Sequence, residues 1–254
     1  MKLGIKDKVA FVAASSQGLG KAVALELAQE GCKVIINGRH ADSLQKAASE
    51  IKSMTSQEVL TMQGDVTNAD DRQFMIKRIL SDFGKVDILV TNSGGPPPGP
   101  FESFEKQDWD DAYELLLAST VELIKGFLPG MKAQKWGRII GITSRAVKEP
   151  VPNLILSNSV RASVVGLYKT LATELGPFNI TVNNVMPGYT NTERLQKLLK
   201  ANPGMQGAID QTPLQRMGEP DEFAAAVAFL ASMRASYITG VSLPVDGGSI
   251  KGLL

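Results

Sequence analysis

The chain has 254 residues, 43% of them hydrophobic, and carries 27 Lys and Arg against 26 Asp and Glu; that length and composition suit a single α/β domain spanning 1–254 around one large core. The near-zero net charge, without a basic run, excludes the electrostatic footprint of a nucleic-acid-binding protein, and no apolar stretch reaches the roughly 20 residues of a membrane helix, so neither partner is expected. A single cysteine, Cys32, and a single histidine, His40, exclude an intrachain disulfide and a Cys/His metal centre; with no signal-peptide pattern in residues 1–12, a cytoplasmic setting is expected.

In chain order, Val- and Ile-rich runs at 8–14 and 33–37 predict two buried strands, and helical spacing of apolar residues over 21–30 predicts the helix between them. Further strands are predicted at 58–64, 86–91, 137–143, 180–186 and 242–245, with helical stretches between most of them. This alternation predicts an α/β fold, a doubly wound parallel sheet with helices on both faces. Ligands of such sheets sit at the carboxyl ends of the strands, so the residues that follow each strand carry the functional information. Residues 94–100, Gly-Gly-Pro-Pro-Pro-Gly-Pro, predict a stiff loop at one of those ends.

The first strand runs into Ala13-Ala14-Ser15-Ser16-Gln17-Gly18-Leu19-Gly20. Gly18 and Gly20 allow a backbone to approach a pyrophosphate, and the helix that follows offers unpaired N–H groups and the positive end of its dipole. A tight strand-to-helix turn would use the same glycines. Its place in the opening βαβ unit favours a nucleotide.

With that turn on view, the chain resembles the short-chain dehydrogenases/reductases over nearly its whole length, which implies a single Rossmann-like domain. The family's T-G-x-x-x-G-x-G turn is matched with Ala13 and Ala14 in place of Thr and the first Gly. Asp65-Val66, after the third strand, implies a wall beside the adenine. Thr91-Asn92-Ser93-Gly94 is similar to the family's N-N-A-G, with Asn92 on the adenosine side. Pro187-Gly188-Tyr189-Thr190-Asn191-Thr192 is similar to P-G-x-x-x-T, implying contacts to carboxamide or phosphate from Pro187, Gly188, Thr190 and Thr192. Residues 213–220 and 238–248 also resemble the family's C-terminal third. The cofactor set implied is therefore Ser15, Ser16, Gln17, Gly18, Leu19, Gly20, Asn37, Arg39, Asp65, Val66, Asn92, Ser93, Gly94 and Arg161, together with that last loop. Relatives form dimers or tetramers through two long helices, here expected over 109–132 and 157–175.

The end of the second strand, Ile36-Asn37-Gly38-Arg39, bears on cofactor choice. NAD-binding folds place an acid there for the ribose 2′-OH, whereas a 2′-phosphate suits a guanidinium. Neutral Asn37 and cationic Arg39 favour NADP(H) over NAD(H). A solvated surface charge is the alternative for Arg39.

The catalytic positions depart from the family. Its Ser, Tyr and Lys fall on Ser144, Ser157 and Arg161, and its catalytic Asn falls on Leu116, seven residues after Trp109. Only Ser144 is retained. Carbonyl reduction needs a proton for the developing alkoxide, Ser is a far weaker acid than Tyr, and Arg161 holds its proton at ordinary pH. Ser144, Ser157 and Arg161 can still stabilise negative charge. Tyr168 lies roughly 16 Å along the helix from Ser157 and is too far to replace the acid, so Tyr189 and Lys148 are the candidates. Arg145, Lys148 and Arg161 favour an anionic substrate if they converge.

Two functions remain in view. The favoured one is an NADP(H)-dependent oxidoreductase on a carbonyl or alcohol substrate, resembling 3-oxoacyl-carrier-protein reductases. The other is a non-catalytic NADP(H)-binding sensor or assembly partner. Substrate identity rests on loops 95–100 and 194–212, whose shape the sequence leaves open.

Overall fold

The computed structural model describes residues 2–202 and 204–253. Met1 and Leu254, the ends of the expected domain, and Pro203, within 194–212, lie outside the described residues. Seven parallel strands form one sheet: β1 (Val9–Val12), β2 (Lys33–Gly38), β3 (Val59–Gln63), β4 (Ile88–Thr91), β5 (Gly137–Ile142), β6 (Ile180–Pro187) and β7 (Ser242–Val245). Their order is β3-β2-β1-β4-β5-β6-β7, so the winding reverses between β1 and β4. A cleft opens at such a reversal, above the carboxyl ends of those strands.

Residues buried on both faces explain why the strands read as unbroken apolar runs. Ala10, Val12, Val34 and Ile36 face one layer, made by α1 (Gly18–Gln29), α2 (Ala41–Thr55) and α9 (Pro220–Ala231). Phe11, Ile35, Leu89 and Ile139 face the other, made by α3 (Ala69–Phe83), α5 (Ser119–Ala133) and α6 (Ile155–Leu175). At the amino end of the sheet, the fully buried Asp87 accepts from Val9 N at 2.9 Å, Lys85 Nζ at 3.0 Å and Gln134 Nε2 at 2.9 Å. This carboxylate fastens β1 and β4 together on the side away from the cleft.

Two expectations change. The helix expected over 109–132 is α4 (Lys106–Tyr113) joined to α5 through a π-helical turn at Glu114–Ala118. Leu116 sits buried within that turn. The 194–212 segment is not irregular but holds α7 (Glu193–Ala201) and α8 (Met205–Asp210). Thr192 starts α7 by accepting Leu195 N–H on its hydroxyl.

Candidate cofactor and active-site cleft

The turn between β1 and α1 divides into framework and open residues. Ser15 is framework: its hydroxyl donates to Val12 O at 2.6 Å and accepts from Asn37 N at 3.0 Å. Gly20 is framework too, because a Cβ there would lie 2.5 Å from Ala14 O and 2.9 Å from Asn92 Nδ2. Asn92 donates to Ala14 O at 3.0 Å, which ties the end of β4 to the turn. Gly18 differs: at φ 57° it adopts a left-handed conformation, and the nearest atom to a Cβ there is Thr192 Cγ2 at 3.8 Å. Thr192 thus faces the glycine turn across the cleft.

The open residues suit an anion. The N-cap of α1, Gln17, makes no side-chain capping bond, and the first turn holds no acid. The first N–H groups of α1, from Gly18 and Leu19 onward, have no intrahelical acceptor and face the positive end of the helix dipole. Ser16 makes no side-chain hydrogen bond among the described residues and lies against Gly38. A diphosphate fits this donor set.

Asn37 requires a correction. Its Oδ1 accepts from Ala14 N at 3.0 Å, and its Nδ2 donates to Met62 O at 3.1 Å and Gly64 O at 3.0 Å. It is 1% exposed, a brace between three strands with nothing left for a ribose. Side chains alternate along a strand, so position 38 faces the turn instead. A Cβ on Gly38 would stand 3.0 Å from Ser16 Oγ. Gly38 carries no acid, and the next residue, Arg39, is exposed, with Nη1 3.7 Å from Asp65 Oδ2. The preference for a 2′-phosphate therefore stands on Gly38 and Arg39. Asp65 also accepts from Thr67 N and Oγ1, and the buried Val66 gives its carbonyl to Arg72.

Ser157 and Arg161 lie together. Both are 8% exposed, and Arg161 Nε donates to Ser157 Oγ at 3.3 Å. Arg161 also donates to Ile142 O at 3.3 Å from Nη1 and to Gly94 O at 3.0 Å from Nη2. The guanidinium thereby spans the ends of β4 and β5. Burial, with the charge of Arg194 added, brings its pKa down to about 10. Ser144 caps the turn after β5 through Ala146 N, and Ser93 donates to Gly94 O. Gly188 packs on Asp246, Pro187 closes β6, and the buried Thr190 bridges to Gly218.

The replacement acids separate clearly. Tyr168 lines the same recess as Arg161 and Leu116, yet its hydroxyl is engaged with Thr91 and its ring covers Gly141. Burial raises its pKa to about 12, against the opposing hydrogen bonds of Thr91 and Thr120. Lys148 is exposed. Tyr189 accepts from Arg145 Nη2 at 3.0 Å, with that guanidinium carbon 5.1 Å from its ring centre. Arg145, Lys148 and Arg161 therefore share no common partner. A residue that sequence reasoning missed, Arg194, lies against Gly95: a Cβ there would come within 2.5 Å of its Nη2. Only its nearness to Thr192 in sequence pointed to it.

These features define a nucleotide-binding α/β domain with a polar site beside the cofactor cleft. A family profile described as enoyl-(acyl carrier protein) reductase matches residues 13–249. The chain belongs to the short-chain dehydrogenase/reductase family. It is 33% identical to the NADPH-dependent reductase BacG of Bacillus subtilis, over 98% of this chain and 100% of that one. It is 36% identical to the 3-oxoacyl-[acyl-carrier-protein] reductase FabG of Staphylococcus epidermidis, over 95% and 98%. L-sorbose reductase from Gluconobacter frateurii, solved with NADPH and L-sorbose, superposes over the full length of both chains with a TM-score of 0.94 at 33% identity.

Proposed function

We propose that the protein is an NADP(H)-dependent oxidoreductase that interconverts a carbonyl and an alcohol on a small molecule. The observation that carries this is the cleft: an uncapped α1 amino terminus, with Gly38 and Arg39 at its mouth, opens beside Ser157 and Arg161. Ser16, Gln17, Gly18 and Leu19 would hold the diphosphate, with Thr192 closing over it, and Arg39 the 2′-phosphate. Asp65, Val66, Asn92, Ser93 and Gly94 would line the adenosine and ribose. Backbone of the Pro187–Thr190 segment would meet the carboxamide. Held there, the cofactor would supply the hydride for the carbonyl carbon.

The chain's own residues then manage negative charge. Ser157 accepts from Arg161, so its own proton is free to hydrogen-bond a carbonyl oxygen while the buried guanidinium favours charge there. One such donor is worth about 10²–10³ in rate. Ser144, anchored to Ala146, is the second hydroxyl of this set. Tyr189 is the proposed proton donor: its oxygen accepts from Arg145, which leaves its O–H free. Assembly into a dimer or tetramer through α4–α5 and α6, in the cytoplasm, as the family resemblance implies, completes the reading.

NADPH titration followed by turnover on a panel of ketones and aldehydes tests it. Tight NADPH binding with turnover, and a loss of roughly 10²-fold or more in kcat for Tyr189→Phe at unchanged NADPH affinity, is expected. Tight binding with no turnover on the panel would instead favour the non-catalytic nucleotide-binding function.

A further inference from the structure

Arg161 is a buried cation without a counter-ion. Among the described residues no carboxylate lies within salt-bridge distance of it, although it is 92% removed from solvent. Three of its N–H groups serve Ser157, Ile142 and Gly94; a guanidinium carries five, so two remain for a ligand. It lines the recess at the carboxyl end of β4 together with Asn92, Ser93 and Thr143. A second guanidinium comes from the opposite wall. Arg194, in the first turn of α7, rests on Gly95 and makes no hydrogen bond or ion pair among the described residues. Arg161 holds the carbonyl of Gly94, the preceding residue. Two positive groups thus bracket one dipeptide, and the charge of Arg194 adds to burial in lowering the Arg161 pKa. Arg194 itself is exposed, so the cost of burial falls on Arg161, and an anion between the two would offset it.

We infer that Arg161 and Arg194 form a two-guanidinium site for a carboxylate on the substrate, so that the oxidoreductase acts on an oxo or hydroxy carboxylic acid. This rests on the oxidoreductase reading above. The glycine turn and Thr192 already provide for the cofactor's diphosphate, and Arg194 points past them to Gly95. Two guanidinium groups present parallel N–H pairs that match the two oxygens of a carboxylate. Gly95 is part of the device, because only glycine leaves room for the Arg194 head group. α7 carries the second arginine, so binding the acid would also draw this helix onto the cleft.

The test uses the NADPH-saturated protein, with acetoacetate and 2-oxohexanoate each compared with its methyl ester by calorimetric titration and by turnover. The acids are expected to bind roughly ten- to a hundredfold more tightly than the esters. Arg194→Gln and Gly95→Ala should each abolish that preference while leaving NADPH affinity, read by fluorescence, within about twofold; Gly95→Ala displaces only the flexible end of Arg194, so folding is not at issue. Equal binding of acid and ester overturns the proposal. So does an Arg194→Gln variant that keeps the preference and loses NADPH affinity, which would give the site to a cofactor phosphate. Acid binding that depends on Arg194 with no turnover upholds the site and sinks the oxidoreductase reading; ester turnover without acid preference does the reverse.

Discussion

Ala14 occupies φ 45° where the family turn has glycine, and two side chains hold it there: Asn37 accepts from its N–H and Asn92 donates to its carbonyl. A left-handed alanine costs about 1–2 kcal/mol, more than the extra chain entropy of glycine. Ala14→Gly should therefore raise the melting temperature by about 1–3 °C, measurable by calorimetry. The mouth of the cofactor cleft gives a second prediction at this scale. Gly38→Asp would place a carboxylate against Ser16, where it repels a 2′-phosphate and accepts from a ribose hydroxyl. NADPH affinity should fall at least about tenfold and NADH affinity rise, while Arg39→Ala should lower NADPH affinity about ten- to a hundredfold without touching NADH. The sequence exposed the type of residue at this strand end but not its direction. Asn37 was legible as a site residue and proved a brace, since which face of a strand meets the cleft depends on pairing with its neighbours.

At the level of elements, α6 places Ser157, Arg161 and Tyr168 on its buried face, with Val164 between them. Tyr168 was rejected as an acid on helical distance, and the structure adds a stronger reason in its closed hydrogen bonding and burial. Its folded pKa, about 12, lies above the ordinary value near 10. Between those values the unfolded chain has released the proton and the folded chain has kept it, so stability falls as pH rises from 10 to 12. Tyr168→Phe should remove this share of the alkaline loss, seen as a flatter dependence of the urea midpoint on pH across that window, although it leaves the Thr91 hydroxyl without its partner. The π turn at Leu116 escaped the sequence because no residue type in Glu114–Ala118 marks a wider turn.

Across the whole molecule, stability and function are separated along the strand direction. Asp87 binds β1, β4 and the end of α5 at the amino edge, far from the glycine turn and Arg161 at the carboxyl edge. Asp87→Ala orphans the Val9 N–H and removes the acceptor shared by Lys85 and Gln134, and is expected to cost about 2–4 kcal/mol, read as a lower urea midpoint, with NADPH affinity unchanged. Strand and helix alternation, the glycine turn and the absence of an acid after β2 were all fixed by local sequence, because hydrophobic period and residue chemistry act over a few neighbours. So was the change of Tyr and Lys to Ser157 and Arg161, which needs only counting from Ser144. Tertiary structure alone decided the inward turn of Asn37, the bond from Arg161 to Gly94, the pairing of Arg145 with Tyr189 and the approach of Arg194 to Gly95. Each joins residues distant in the chain, and only the packing of separate strands and helices sets where such side chains meet.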